Sequence, residues 1–230
     1  MLANNNKAII NKLAKNSVKT NKKQYAILFF TIILSAFMLF CVFTIGMTYL
    51  NSSRLQNTRL NGAEYDIVTM NGFTSEQLNT LQQNENIRSV GIESYAGFIQ
   101  STEYDKTVEI GLLWCDEVFW DNLMSPARTK LDGHYPQNKN ELMVTKDILK
   151  TCGNENLSVG DSLILTYENN TGVYTDEFII SGIWDGYGDT SAGFVSKAFY
   201  DETGYDLKNN GILCIKLNCN YVFPTTIQSI

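Results

Sequence analysis

Histidine is almost missing from this chain. His134 is the only one among 230 residues, so a His-based catalytic triad or a multi-histidine metal site has too few members. Its setting, Gly133-His134-Tyr135-Pro136, reads as a turn with a structural role. No G-x-x-x-x-G-K-[ST] loop is present to cradle phosphates, and neither H-E-x-x-H nor a G-x-S-x-G elbow occurs. The five cysteines form no C-x-x-C pair, which removes the usual metal spacing. Asp185 and Asp189 do not meet the D-x-[DN]-x-[DN]-G calcium-loop pattern, so a solvated turn is expected there. Asp66, Asp116, Glu117 and Asp121 are scattered, and no carboxylate pair stands out for acid–base work. These absences give an expectation of no catalytic residue, no cofactor-binding residue and no metal ligand.

Acidic residues are missing from the first 50 positions, and all charge is missing from Tyr25 to Leu50. That apolar run contains no proline and one glycine, Gly46. As a helix its 26 residues extend about 39 Å, against a bilayer core of about 30 Å. A secretory signal has a shorter apolar core and a small-residue cleavage site, and Tyr49-Leu50-Asn51-Ser52-Ser53-Arg54 offers none. Lys7, Lys12, Lys15, Lys19, Lys22 and Lys23 precede the run, so the N-terminus is expected on the cytoplasmic side. Ile9, Ile10, Leu13 and Val18 lie broadly on one face of that leader, as in an interfacial helix. A continuous helix is expected from about Lys23 to Arg59, projecting past the membrane as a stalk.

Beyond residue 50 stand the remaining 12 Lys and Arg against all 24 Asp and Glu, a net of −12. That balance argues against nucleic acid as a partner. About 180 residues suffice for one compact domain, and its sequence alternates short strands with short helices. Strands are expected at Ala63–Met70, Ile87–Gln100, Thr107–Leu113, Leu163–Tyr167, Phe178–Trp184 and Gly211–Leu217. Asn169-Asn170-Thr171-Gly172 predicts a hairpin turn. Thr74-Ser75-Glu76-Gln77 has the form of a capping box, so a helix is expected over about Ser75–Gln83. Further short helices are expected at Thr145–Thr151 and Ser196–Glu202. The fold class is therefore α+β. The expected organisation is 1–23 as a basic cytoplasmic amphipathic segment, 24–60 as transmembrane helix and stalk, and 61–230 as an extracytoplasmic α+β domain. Phe223-Pro224-Thr225-Thr226 looks like a helix start close to Ile230, which predicts a fragment of a longer protein. Cys115, Cys152, Cys214 and Cys219 allow three full pairings, and the sequence does not choose; Cys214, in an apolar alternating run, reads as a free buried thiol.

Several segments together resemble the FtsX-like (MacB-type) ABC transporter permease family. The lysine-rich leader Ile9-Ile10-Asn11-Lys12-Leu13-Ala14-Lys15-Asn16-Ser17, followed by the apolar run ending Phe43-Thr44-Ile45-Gly46, looks like the start of those permeases. LDGHYPQNKNELMVTK at 131–146 is similar to the family's L-x-G-R-x-P element, with His134 where the family often has Arg. LSVGDSLILTY at 157–167, EFIISGIW at 177–184 and AGFVSKAFYDETG at 192–204 resemble the elements that follow it. Gly133 and Pro136, Gly160-Asp161 and Gly182 read as turns and a bulge, not as chemistry. The resemblance covers roughly residues 7–220.

The resemblance implies a MacB-type periplasmic core and a non-catalytic permease subunit without cofactor, set in the cell membrane. It implies an ABC ATPase on the cytoplasmic side and a second permease copy or half. Cargo or contacts would be peptides, antibiotics or lipoproteins, or a sensor kinase. Family members carry at least four membrane helices in all, so the resemblance also implies further helices outside this chain. Two other readings remain open from the residues: a single-pass receptor or adhesion domain, and an anchored extracellular hydrolase.

Overall fold

The computed structural model describes residues 6–100, 110–187 and 192–218, in two compact units, Met1–Arg54 and Leu55–Ile230. The first unit is helical. α1 runs Asn6–Thr20, the chain bends at Asn21, and α2 follows as one helix, Lys22–Asn61. No proline interrupts its hydrogen-bond ladder, and the helix continues unbroken from Leu50 through Arg54. It is the one helix among the described residues long and apolar enough to cross a membrane. Phe30, Phe40, Phe43 and Ile45 are each more than two-thirds exposed, as expected of a surface that lipid would cover.

The second unit is mixed α+β. After α2 come β1 (Ile67–Thr69), α3 (Ser75–Gln82), β2 (Ile87–Ile99) and β3 (Ile110–Cys115). A single π-helical turn, Val118–Leu123, and a 3₁₀ turn, Ser125–Ala127, lead to β4 (Arg128–Gly133) and β5 (Glu141–Thr145). Then follow α4 (Lys146–Thr151), β6 (Ser162–Asn169), β7 (Gly172–Gly186), β8 (Ala192–Val195), α5 (Lys197–Tyr200), α6 (Leu207–Asn210) and β9 (Gly211–Leu217).

Most of these elements match the sequence pattern, for local reasons. The Thr74 hydroxyl accepts from the Gln77 amide, and the Gln77 side chain accepts from the Thr74 amide, which completes the capping box of α3. β6 and β7 form the expected hairpin, with Asn169 Oδ1 accepting from the Thr171 amide to fix the turn. Ala63–Met70 is a correction: only Ile67–Thr69 is strand. Upstream of it the Glu64 amide bonds Leu123 O at 2.7 Å and the Asp66 amide bonds Ile215 O at 2.9 Å, so those amides serve a loop. Of Thr107–Leu113, only the part from Ile110 is described; Cys219 and the helix start at Phe223 lie outside the described residues.

The strand pairings close on themselves. β2 pairs β3, β3 pairs β8 in parallel, β8 pairs β5, and β5 pairs β7 in parallel. β7 then pairs β6, and β6 returns to β2 through Phe98↔Glu168 and Ile99↔Tyr167. β9 and β1 extend this ring beyond β2, and β4 extends it beyond the second half of β7.

Alternation along the strands sorts the apolar side chains into two clusters. One holds Ala96, Leu112, Leu142, Leu163, Phe178 and Ile180. The other, beneath the π-helical turn, holds Cys115, Phe119, Trp120, Leu123, Phe194 and Cys214. Each large side chain buried this way contributes about 1.5–3 kcal/mol. Gly182 sits where a Cβ would lie 2.9 Å from His134 O, and the register shifts between Leu142 and Met143 opposite it, the close approach its sequence position predicted.

Candidate functional site

The sequence nominates no catalytic or ligand-binding residue, so the candidate site emerges from the fold. A cleft of about 720 Å³, open to solvent, lies where β3 hands over to the π-helical turn. Trp114, Trp120 and Tyr135 form its aromatic wall. Asp116, Glu117 and Asp121, scattered to a sequence reader, come together on this cleft, with Lys197 as its cation. Asp66 is not with them: it lies 3.7 Å from Lys216, which also holds Glu64 at 2.9 Å.

The cleft wall is held rigidly. The Tyr135 hydroxyl accepts from the Cys115 amide at 3.0 Å and is within 3.2 Å of the Cys115 and Val195 carbonyls. The Tyr135 ring lies 5.0 Å from Trp120, whose ring carries the Arg128 guanidinium at 4.0 Å. Desolvation lowers the Arg128 pKa. Trp114 stacks on Tyr200 at 5.1 Å, and the Lys197 ammonium lies 5.2 Å from both rings.

Asp116 is committed to the fold. Its Oδ1 accepts from the Ile92 amide at 3.0 Å and the Phe119 amide at 2.8 Å, tying β2 to the π-helical turn. Burial raises its pKa, and those backbone bonds oppose the rise. Glu117 and Asp121 are exposed. A hydrolase built on two perturbed carboxylates would need a second such group in the cleft. Among the described residues the other raised carboxyl is Glu93, which does not line it.

Glu93 stands on β2 between Cys115 on β3 and Ile212 on β9. It keeps a strip of accessible surface, yet its carboxyl is closely surrounded by protein, and desolvation pushes its pKa up to about 7. Cys214, two register positions along β9, is a free buried thiol with its pKa pushed up to about 12, chiefly by burial. Cys115 and Cys152 are also free and buried, and burial raises both. Cys115 and Cys214 sit on strands either side of β2 and two register positions apart along it, so about 11–12 Å separates their Cα atoms, beyond disulfide reach. His134 is exposed in its turn, its amide bonded to Ser181 O at 2.9 Å. Asp185 caps the Gly186 amide with its own carboxylate, and Asp189 lies outside the described residues.

The end of α2 is seated in the second unit. Thr58 is buried, and the Arg59 guanidinium lies 3.9 Å from the centre of the Tyr187 ring.

Among solved structures, the chain is similar to the extracellular domain of YknZ, a noncanonic ABC-type transporter from Gram-positive bacteria. Identity is 14% and the TM-score 0.43, over 65% of this chain and 75% of that one. It is also similar to the periplasmic region of MacB from Actinobacillus actinomycetemcomitans, with 14% identity and a TM-score of 0.42 over 67% of this chain and 75% of that one. A domain assigned to a permease protein of Porphyromonas gingivalis gives 11% identity and a TM-score of 0.43, over 69% and 67% of the two chains. The likeness is one of fold. No family model and no curated protein matches the chain.

Proposed function

We propose that this chain is part of a membrane permease subunit of an ABC transporter of the FtsX-like (MacB-type) family. One observation carries the reading. The four segments that resemble the family, 131–146, 157–167, 177–184 and 192–204, supply β4, β5, β6, β7 and β8, which are hydrogen-bonded neighbours in one sheet. Chance matches scattered along a sequence have no reason to assemble side by side. The same chain begins with a lysine-rich leader and an uninterrupted helix carrying the uncharged run.

In this reading residues 1–23 lie at the cytoplasmic face near a separate ABC ATPase. Residues 24–60 cross the membrane and continue as a stalk, and residues 61–230 form the outer domain. ATP-driven closure of the ATPase is passed through α2 to that domain. Stiffness is what such transmission needs, and a proline-free helix supplies it. The outer domain meets a peptide, antibiotic or lipoprotein, or signals to a sensor kinase. The chain itself carries out no chemistry in this reading, since the half-buried carboxylate of its cleft, Asp116, is spent on backbone amides.

The test is co-purification. The protein, expressed with an ABC ATPase from the same cells, is expected to form a detergent-stable complex. A protein that isolates without any ATPase and binds an external ligand as a single-pass unit would instead establish the receptor reading.

A further inference from the structure

We propose that β4 is the seam of a two-fold dimer, in which β4 of one copy pairs antiparallel with β4 of a second copy of this chain. β4 closes its end of the sheet: β7 pairs one side, and no strand among the described residues pairs the other. Such an edge presents unpaired backbone N–H and C=O groups to whatever can match them. Thr129, Lys130, Leu131 and Asp132 are all exposed, Leu131 to 47%. Neither Lys130 nor Asp132 has an ion-pair partner among the described residues.

The sequence of this edge is self-complementary in one register. Lys130 and Asp132 share one face of the strand, and Leu131 lies on the other. A two-fold axis through Leu131 sets Leu131 against Leu131, Lys130 against Asp132, and Asp132 against Lys130. That gives two cross-strand ion pairs on one face and an apolar pair on the other. Because each residue meets the same partner in both directions, the contact is isologous and closes at two copies.

Neighbouring registers fail. An axis through Lys130 opposes two lysines, and one through Asp132 opposes two aspartates. An axis between Lys130 and Leu131 sets a charge against an apolar side chain. A lone edge lysine usually keeps strands apart. Here an aspartate two residues on turns it into a specificity device.

The seam rests on the permease reading only for the presence of a second copy, and its test needs no ATPase, so the two can fail separately. The experiment uses the whole chain in detergent, with Cys41→Ser and Cys219→Ser to remove background thiols. Opposed residues of an antiparallel pair have Cα atoms about 4.5–5.5 Å apart, within disulfide reach. Leu131→Cys is therefore expected to give a crosslinked dimer under mild oxidation. Val159→Cys, at a site of similar exposure, should remain monomeric. Lys130→Cys co-expressed with Asp132→Cys should crosslink more than either alone.

A second arm uses charge. Lys130→Asp should raise the dimer dissociation constant about ten-fold, and adding Asp132→Lys should restore it. A Leu131→Cys yield no higher than that of Val159→Cys would overturn the proposal. So would a double swap that dimerises as weakly as Lys130→Asp.

Discussion

Glu93 is the residue whose behaviour the fold changes most. An acid in the run Val90-Gly91-Ile92-Glu93-Ser94 reads as the solvent side of an alternating strand. The π-helical turn covers that side instead. A Cβ at Gly91, two residues away on the same face, would lie 2.9 Å from Phe119 Cα, so only glycine lets the turn settle there. The carboxyl is left in protein, with its pKa raised to about 7 from an ordinary 4.5. A raised acid pKa means the folded state holds its proton longer than the unfolded chain. Stability is therefore complete below pH 4.5 and falls as the pH climbs through 7. Glu93→Gln removes the charge and keeps the shape. It is expected to stabilise the protein by about 3 kcal/mol at pH 8 and by almost nothing at pH 4. Denaturant unfolding of both proteins at the two pH values checks this, and a gain that did not grow with pH would refute it.

At the scale of elements, what the sequence discloses follows how local the cause is. α3 is legible because both halves of its cap lie within four residues, Thr74 and Gln77. Thr74→Ala leaves the Gln77 amide without its acceptor and is expected to cost about 1 kcal/mol, read as a lower midpoint in thermal or denaturant unfolding. The apolar run of α2 is equally plain, since its length alone exceeds what a bilayer asks. The turn at Val118–Leu123 is not legible. Its packing side chains Phe119, Trp120 and Leu123 keep the three- and four-residue spacings of a helix face, but six residues are too few to declare a helix from sequence, and the turn is shaped by the sheet beneath it. The cleft is hidden for the same reason. Asp116 belongs to the end of β3, while Glu117 and Asp121 belong to the turn, and Tyr135 and Lys197 arrive from beyond β4 and β8. The closed ring of strands is hidden because it depends on two parallel pairings and on the two-residue contact of β2 with β6, all of them non-local.

For the whole molecule, the decisive quantity is the separation of charge along the chain. Six lysines and no acid precede Tyr25, while every Asp and Glu follows Leu50. Lysines beside a membrane helix hold their end on the cytoplasmic side, whereas acids contribute little to that choice. The orientation proposed above therefore rests on the leader rather than on the acidic domain, and this yields a direct experiment. With Cys41 and Cys219 replaced by Ser, the described cysteines that remain, Cys115, Cys152 and Cys214, are all buried. Lys12→Cys and Met70→Cys then place one exposed thiol at either end of α2, Met70 being 66% exposed. A membrane-impermeant thiol reagent applied to intact cells is expected to label Met70→Cys and spare Lys12→Cys, and to label both after lysis. Labelling of Lys12→Cys alone in intact cells would place the acidic domain inside. It would remove the outer domain from the permease reading, and with it any external cargo.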